Sequence, residues 1–431
     1  MDASALLGGR RAALRAVVTL LALAVSAGIL VVGAGTGAPA ATVEPRAGAG
    51  APSVEPGARP SVRTVGPDQR DAGPAQPPPA ITARGAVLWE PADDSVLYER
   101  DAGVGRPMAS TTKIMTVLLA LEAGAVQDTV TVSPAAAALG EATLHLTAGQ
   151  QVPMESLVAG LLLRSGNDAA LAVAEHVAGS EEEFVAAMNA RARELELHET
   201  WFVNASGLTN DPGHRAAPLE LARLAAVAME HEVFARYAGA ATATVPALGP
   251  MSNRNELLGD YPGATGVKTG YTRLAGLCLV ASAERDGRTL YAVVLDSDDS
   301  FADTAALLDW GFEAFQRVEP VAADAEVTRY RWADADVPLV LGEPLGRTLG
   351  ADAQITWRTV LDPMAQRPVE RGTRLGTAEL RADGALVAEV PLLTDAAAGA
   401  PPTYDGAAQV GGGVQEALRA FARLAVVDRA P

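Results

Sequence analysis

The chain has almost no cysteine, very little lysine and few histidines. Cys278 is alone among 431 residues, which excludes an intrachain disulfide and a cysteine-rich zinc site. The five histidines are scattered along the chain and supply no metal cluster, so neither a metal nor another cofactor is called for. Long basic runs are missing as well. Lys and Arg number 34 against 52 Asp and Glu, a net charge of −18. Such a chain repels phosphate backbones, which excludes nucleic acid as a partner. The length allows two domains with tails and a core that needs no covalent staple.

The scarcity of lysine is the most informative of these. Lys113 and Lys268 are the two lysines, and every other basic residue is arginine. A lysine kept in that background is predicted to sit where a guanidinium will not serve. A buried lysine amine can lose its proton, whereas arginine effectively cannot.

What is present begins with an export signal. Arg10, Arg11 and Arg15 precede an uncharged, mostly apolar run from Ala16 to Gly33, and Ala38-Pro39-Ala40 has the small-x-small form of a cleavage site. The run is also near the length of a membrane span. Residues 1–40 are read as a cleaved signal peptide or a retained membrane anchor. Both readings place the rest outside the cytoplasmic membrane, secreted or held at its outer face in the cell-wall zone. Nine prolines between Pro45 and Pro79 mark residues 41–82 as a disordered Pro/Ala/Gly-rich linker.

Order is predicted from about Ala83. Ala86-Val87-Leu88-Trp89 and Val96-Leu97-Tyr98 flank Pro91-Ala92-Asp93-Asp94 as a hairpin. Ile114, Val117, Leu118 and Leu121 share a helix face, closed by Gly124. Residues 153–195 read as helices, with Pro153 in a first turn and Gly179-Ser180 between two of them. Leu277–Ala283 and Thr289–Leu295 form a second hairpin, and residues 300–317 a helix. This order gives a mixed α/β domain with an antiparallel sheet over residues 83–317. Residues 318–393 form a small β-rich domain of short strands such as Val337–Leu341 and Leu386–Val390. Residues 394–431 are a linker and a short C-terminal helix, 414–427.

Both lysines lie in short patterns with a chemical logic. In Ser110-Thr111-Thr112-Lys113 the serine opens a helix and the lysine follows on the same face. A serine hydroxyl is a weak nucleophile that needs a base beside it, and a desolvated lysine supplies a neutral amine. The helix N-terminus favours a developing oxyanion. Lys268-Thr269-Gly270 starts a predicted edge strand. There a cation and a hydroxyl can hold a carboxylate, and glycine admits a close approach. Ser165-Gly166-Asn167 sits between helical stretches, where a hydroxyl can pass a proton and an amide can orient the lysine. Each triplet alone has a bland reading: a capped helix start, a strand entry, a helix-to-helix turn. The three in this order, using both lysines, carry the signature of penicillin-binding proteins and class A β-lactamases.

The sequence resembles the low-molecular-mass penicillin-binding proteins of the D-alanyl-D-alanine carboxypeptidase type, serine peptidase family S11, over about residues 84–317. Pro107–Thr116, Leu161–Ala170, Asn204-Ala205-Ser206-Gly207-Leu208, Gly266–Thr272 and Ala275–Ala283 carry the resemblance. It implies a β-lactamase/transpeptidase-like domain, an antiparallel sheet flanked by helices, with the β-rich segment as a C-terminal domain. It further implies that Ser110 attacks the penultimate D-alanine of a peptidoglycan stem pentapeptide, with Lys113 as general base. The N–H groups of Ser110 and Tyr271 would form the oxyanion hole. Ser165 would relay the proton to the leaving D-alanine. Lys268 and Thr269 would hold the terminal carboxylate, and Asn167 the peptide backbone. Gly270, Tyr271 and Thr272 complete the substrate-binding strand, and β-lactam antibiotics would acylate Ser110.

The run His214–Glu220 departs from the family pattern. Alanines replace hydroxyl residues, and Leu219 stands where some relatives carry a basic residue for the carboxylate. Arg215 and Arg273 are the candidates to replace it. The histidines carry no part of this chemistry: His145, His176, His198 and His231 read as surface or helix residues and His214 as a loop residue. Cys278 reads as an inert thiol in a core strand, and Asn204-Ala205-Ser206 as a turn rather than a glycosylation site. The final helix lacks the basic face of a membrane binder. A class A β-lactamase would need a Glu-x-x-Leu-Asn segment between Asn167 and Lys268, and none is present. A D,D-endopeptidase of the same fold and a penicillin-binding sensor or scaffold with little turnover remain as alternatives.

Overall fold

The computed structural model describes residues 74–332, 335–362 and 369–397. The N-terminal signal or anchor, most of the linker and the C-terminal helix lie outside the described residues.

The frame is a five-stranded antiparallel sheet. Its strands are β1 (Gly85–Glu90), β2 (Ser95–Arg100), β3 (Ala264–Thr272), β4 (Gly276–Arg285) and β5 (Arg288–Ser297), in the order β2-β1-β5-β4-β3. The middle strands are apolar on both faces because both faces are covered. Val87, Trp89, Val280, Tyr291, Val293 and Leu295 point into one core. Their neighbours Ala86, Leu88, Leu279, Ala281, Leu290, Ala292 and Val294 point into a second. Each fully buried Val or Leu contributes about 1.5–3 kcal/mol, so a one-residue slip would forfeit both cores.

The first core is closed by α1 (Lys113–Glu122), α2 (Met154–Leu163), α3 (Asn167–Ala178), α4 (Glu181–Glu194) and α5 (Pro218–Met229). The second is closed by α6 (Ser300–Ala314). This is the helix-flanked antiparallel sheet that the sequence implied. Helix α6 is shorter than the predicted 300–317. Phe315 turns extended, its ring packs edge-on against Trp310 at 4.8 Å, and its strand pairs with Leu345–Gly350. Tertiary pairing there outcompetes helical continuation. Pro153 ends a short strand instead of entering the helix, which begins at Met154. Lys268 falls in the middle of its edge strand, not at the start, because pairing already begins at Ala264↔Ala283.

Residues 74–82 fall within the predicted linker and lie against the body. Trp310 Nε1 donates to the Gln76 carbonyl, and the Thr82 and Ala83 amides donate to Asp303. Beyond α6 the chain forms β6 (Phe315–Val321), β7 (Glu326–Trp332), β8 (Ala335–Leu341), β9 (Leu345–Gly350), β10 (Ile355–Leu361), β11 (Arg374–Ala382) and β12 (Ala385–Thr394). A sheet of order β7-β8-β12-β11-β10 packs around Leu341, Leu380 and Leu392. Strands β6 and β9 pair separately. The buried Glu90 joins the two parts, accepting from Arg288 and Thr348, both at 2.8 Å.

Candidate active site

Between β3 and the start of α1 lies a cavity of about 370 Å³. Ser110, Ser165, Asn167, Thr269, Gly270, Tyr271 and Thr272 line it. Lys113 and Lys268 are buried and reach the cavity through lining residues they touch. All nine sequence-predicted positions therefore converge, from three elements distant in sequence.

Ser110 sits in a single 3-10 turn, Ala109–Thr112, that runs directly into α1. Ala109, just before it, has φ +49, a left-handed backbone that a non-glycine residue adopts only when its surroundings impose it. Gly207 shows part of that constraint: a Cβ there would lie 1.9 Å from the Ala109 carbonyl oxygen. Gly270 does the same from β3, where a Cβ would come within 3.1 Å of the Ser110 nitrogen. Two glycines thus let a loop and a strand close on the serine turn.

Lys113 Nζ is 2.9 Å from Ser110 Oγ, 2.9 Å from Asn167 Oδ1 and 2.5 Å from the Ser206 carbonyl. Full burial pushes its pKa well below the usual lysine value, and the charges of Lys268 and Arg254 push the same way. The amide oxygen of Asn167 and the Ser206 carbonyl can only accept. A neutral amine spends its two N–H bonds on them and turns its lone pair to the serine hydroxyl. Asn167 is fixed for this by a bond from Nδ2 to the Gly140 carbonyl. Ser206 is fixed by a turn in which Asn204 Oδ1 accepts from the Ser206 and Gly207 amides, so Asn204 serves as turn former.

Ser165 also has a left-handed backbone, φ +66, and is 2 % exposed. Its Oγ is buried without a hydrogen-bond partner among the described residues. An unpaired buried hydroxyl is costly, and this one lines the cavity. Next to it, Asp168 accepts from the Leu144, Leu146 and Ala169 amides and holds the wall formed by Glu141 and Ala142.

On the opposite wall, Lys268 Nζ has one acceptor among the described residues, the Thr269 carbonyl at 2.9 Å. Burial, with Arg254 adding to it, lowers its pKa to about 7. Thr272 Oγ1 accepts from the Ala275 amide and closes the turn after β3, and Tyr271 is 64 % exposed at the rim. Cys278 faces Gly270 in register; burial pushes its thiol up to about 12, so it contributes shape to the wall and no thiolate.

Sequence reasoning missed Arg254. Arg215 and Arg273 are exposed and do not line the cavity, whereas Arg254 does. Leu219 packs on the core and donates its amide to Ala102. Arg254 is set by asparagines on either side: Asn253 Nδ2 donates to Ala240 and Asn255 Nδ2 to Gly266. The available signal was Asn253-Arg254-Asn255 itself, a rigid turn built from Asx residues around a cation. The sequence predicts His214 as a loop residue. It is in a loop, but buried behind the serine turn.

Residues 72–299 match the family described as Peptidase S11, D-alanyl-D-alanine carboxypeptidase. The chain is 32 % identical to the D-alanyl-D-alanine carboxypeptidase DacF of Bacillus subtilis over 73 % of its own length and 85 % of that protein's. It is 34 % identical to DacC of Escherichia coli over 73 % and 84 %. Penicillin binding protein 5 of Haemophilus influenzae superimposes with a TM-score of 0.65 at 28 % identity, covering 75 % of this chain and 99 % of that one. A variant of the Streptomyces K15 DD-transpeptidase gives 0.51 at 31 %, covering 54 % and 99 %.

Proposed function

Because the chain belongs to the D-alanyl-D-alanine carboxypeptidase family, Peptidase S11, we propose that Ser110 takes up an acyl group from a peptidoglycan stem peptide ending in D-Ala-D-Ala. The contact between a desolvated Lys113 amine and Ser110 Oγ carries this reading. As Ser110 Oγ attacks the penultimate D-alanine carbonyl, its proton passes to Lys113 Nζ. The Ser110 and Tyr271 amides receive the oxyanion. Ser165, whose hydroxyl has no hydrogen-bond partner among the described residues, relays the proton: it gives its own to the departing amine and recovers one from Lys113. Lys268, Thr269 and Arg254 hold the terminal carboxylate, and Asn167 orients Lys113 and meets the peptide. Gly270 and Thr272 shape the strand along which the peptide lies. Water then hydrolyses the ester on Ser110 and frees the enzyme. A β-lactam enters the same path and stops at the ester.

The substrate and the N-terminal export pattern support an extracytoplasmic location, at the wall. No helix among the described residues is long and apolar enough to cross a membrane.

The test is D-alanine release from a stem pentapeptide by the full chain and by Ser110→Ala. Release by the first alone supports the proposal. Covalent labelling of Ser110 by penicillin without D-alanine release would replace it with a sensor role.

A further inference from the structure

Behind the serine turn, away from the cavity, lies a buried histidine that the chemistry above does not use. His214 is 1 % exposed and packs edge-on against Phe202 at 6.1 Å. Its two ring nitrogens are both engaged. The Val203 amide donates to Nδ1 at 3.0 Å, and Nε2 lies 2.6 Å from Thr112 Oγ1. Thr112 Oγ1 in turn donates to the Ala109 carbonyl at 2.7 Å.

The direction of every bond in this chain is forced. A backbone amide can only donate, so Nδ1 is bare. Thr112 has one hydroxyl proton, which goes to Ala109, so Thr112 can only accept from the ring. The proton therefore sits on Nε2. The ring is a neutral, one-tautomer connector between the Val203 amide and the carbonyl of Ala109. That carbonyl belongs to the residue with left-handed backbone immediately before Ser110, and it is the group against which Gly207 packs.

We propose that His214 is a positioning residue for the acylation step: through Thr112 it fixes the Ala109 peptide, and so the aim of the Ser110 hydroxyl and amide. The inference rests on Ser110 being the nucleophile. It also accounts for why one short loop holds both partners. The segment from Val203 to His214 supplies the Ser206 carbonyl to Lys113 and the imidazole to Thr112. Base and nucleophile are then set from one piece of backbone.

A protonated ring would direct an N–H at the Val203 amide and lose that bond. The surroundings oppose protonation. Burial lowers the ring's pKa to about 4, and Lys113 pushes the same way while Asp211 pushes against it. The connector thus stays neutral across the range in which Lys113 must also be neutral.

The experiment follows acylation of the full chain by a fluorescent penicillin and the ring ¹⁵N signals of His214, assigned by their loss in the variants. The variants are His214→Phe, Thr112→Val, the double variant and His214→Gln, with Ser110→Ala as control. We expect an Nε2–H ring at neutral pH. His214→Phe and Thr112→Val should each slow acylation roughly 10- to 100-fold, the scale of a small misplacement of reacting atoms, with initial binding unchanged. The double variant should be no slower than the worse single one, because both cut the same chain. His214→Gln, which puts an amide donor near the Nε2 position, should recover most of the rate. An Nδ1–H or charged ring, additive losses, or a Gln variant no faster than Phe would overturn the proposal. If His214→Phe does not fold, the ring tautomer and Thr112→Val decide it: an Nδ1–H or charged ring, or a Thr112→Val chain that acylates at the wild-type rate, would overturn the proposal. A wild-type chain that fails to acylate, or a Ser110→Ala chain that still does, overturns the nucleophile assignment instead.

Discussion

Lys113 and Lys268 lie behind opposite walls of one cavity, and their surroundings differ. Both are fully buried, and burial lowers the pKa of both. Lys113 is enclosed by three oxygen partners from three segments. Lys268 has one among the described residues, from the neighbouring residue on its own strand. Burial alone therefore does not assign a role; the number and direction of the partners do. A fully partnered amine has a fixed lone pair and suits proton transfer. An under-partnered one keeps N–H groups for a guest and suits anion binding.

The sharpest way to break this contrast is to place arginine at each site in turn. Arginine keeps the charge and cannot give up the proton. In Lys113→Arg the proposed base is gone, and acylation should fall by about 10³-fold or more, within the range of lost general-base catalysis. In Lys268→Arg the cation survives, and the loss should be far smaller and fall mainly on KM. Penicillin acylation rates on folded protein measure both. Equal losses would mean that the two lysines do the same work.

Removing the second cation altogether is the next test. Lys268→Ala should raise KM for a D-Ala-D-Ala peptide by roughly 10- to 100-fold, the scale of one charged hydrogen bond lost. The same peptide amidated at its C-terminus should bind wild type and variant alike. A loss in kcat with KM unchanged would move Lys268 to the proton-transfer side.

The pH profile separates the lysines without mutation. Lys113 must be neutral to act, so kcat/KM should rise as pH passes upward through its lowered pKa. Lys268 must be charged to hold a carboxylate, so kcat/KM should fall as pH rises through about 7. In Lys268→Arg the alkaline fall should disappear while the acidic rise stays. An alkaline limb unchanged in that variant would assign it to another group.

Composition explains what was legible in the sequence. Two lysines in a chain that otherwise uses arginine stand out, and each lies in a local motif that fixes its neighbours. Ser165 and Asn167 were legible for the same reason, as one short turn. The central strands were legible because their residues are apolar on both faces. Arg254 had no such contrast: it is one arginine among many, and it meets the site only after the chain folds back from Asn253. His214 was hidden likewise, since the residue it serves, Thr112, is 102 positions earlier. The end of α6 was set by pairing with a strand still to come in sequence. The three motifs and their meeting place were readable; the partners that only folding brings to them, Arg254 and His214, were not.

Arg254 also offers the finest test of the comparison, because its charge lowers both lysines at once. In Arg254→Ala the positive field weakens, and both amines regain protons more readily. The acidic rise, set by Lys113, and the alkaline fall, set by Lys268, should then both move to higher pH by less than about one unit, as expected of one partly screened charge. KM should rise only a few-fold, since in the proposed complex Lys268 and Thr269 would still hold the carboxylate. If one limb moves and the other does not, the two lysines do not share this neighbour electrostatically. The contrast between them would then rest on hydrogen-bond partners alone.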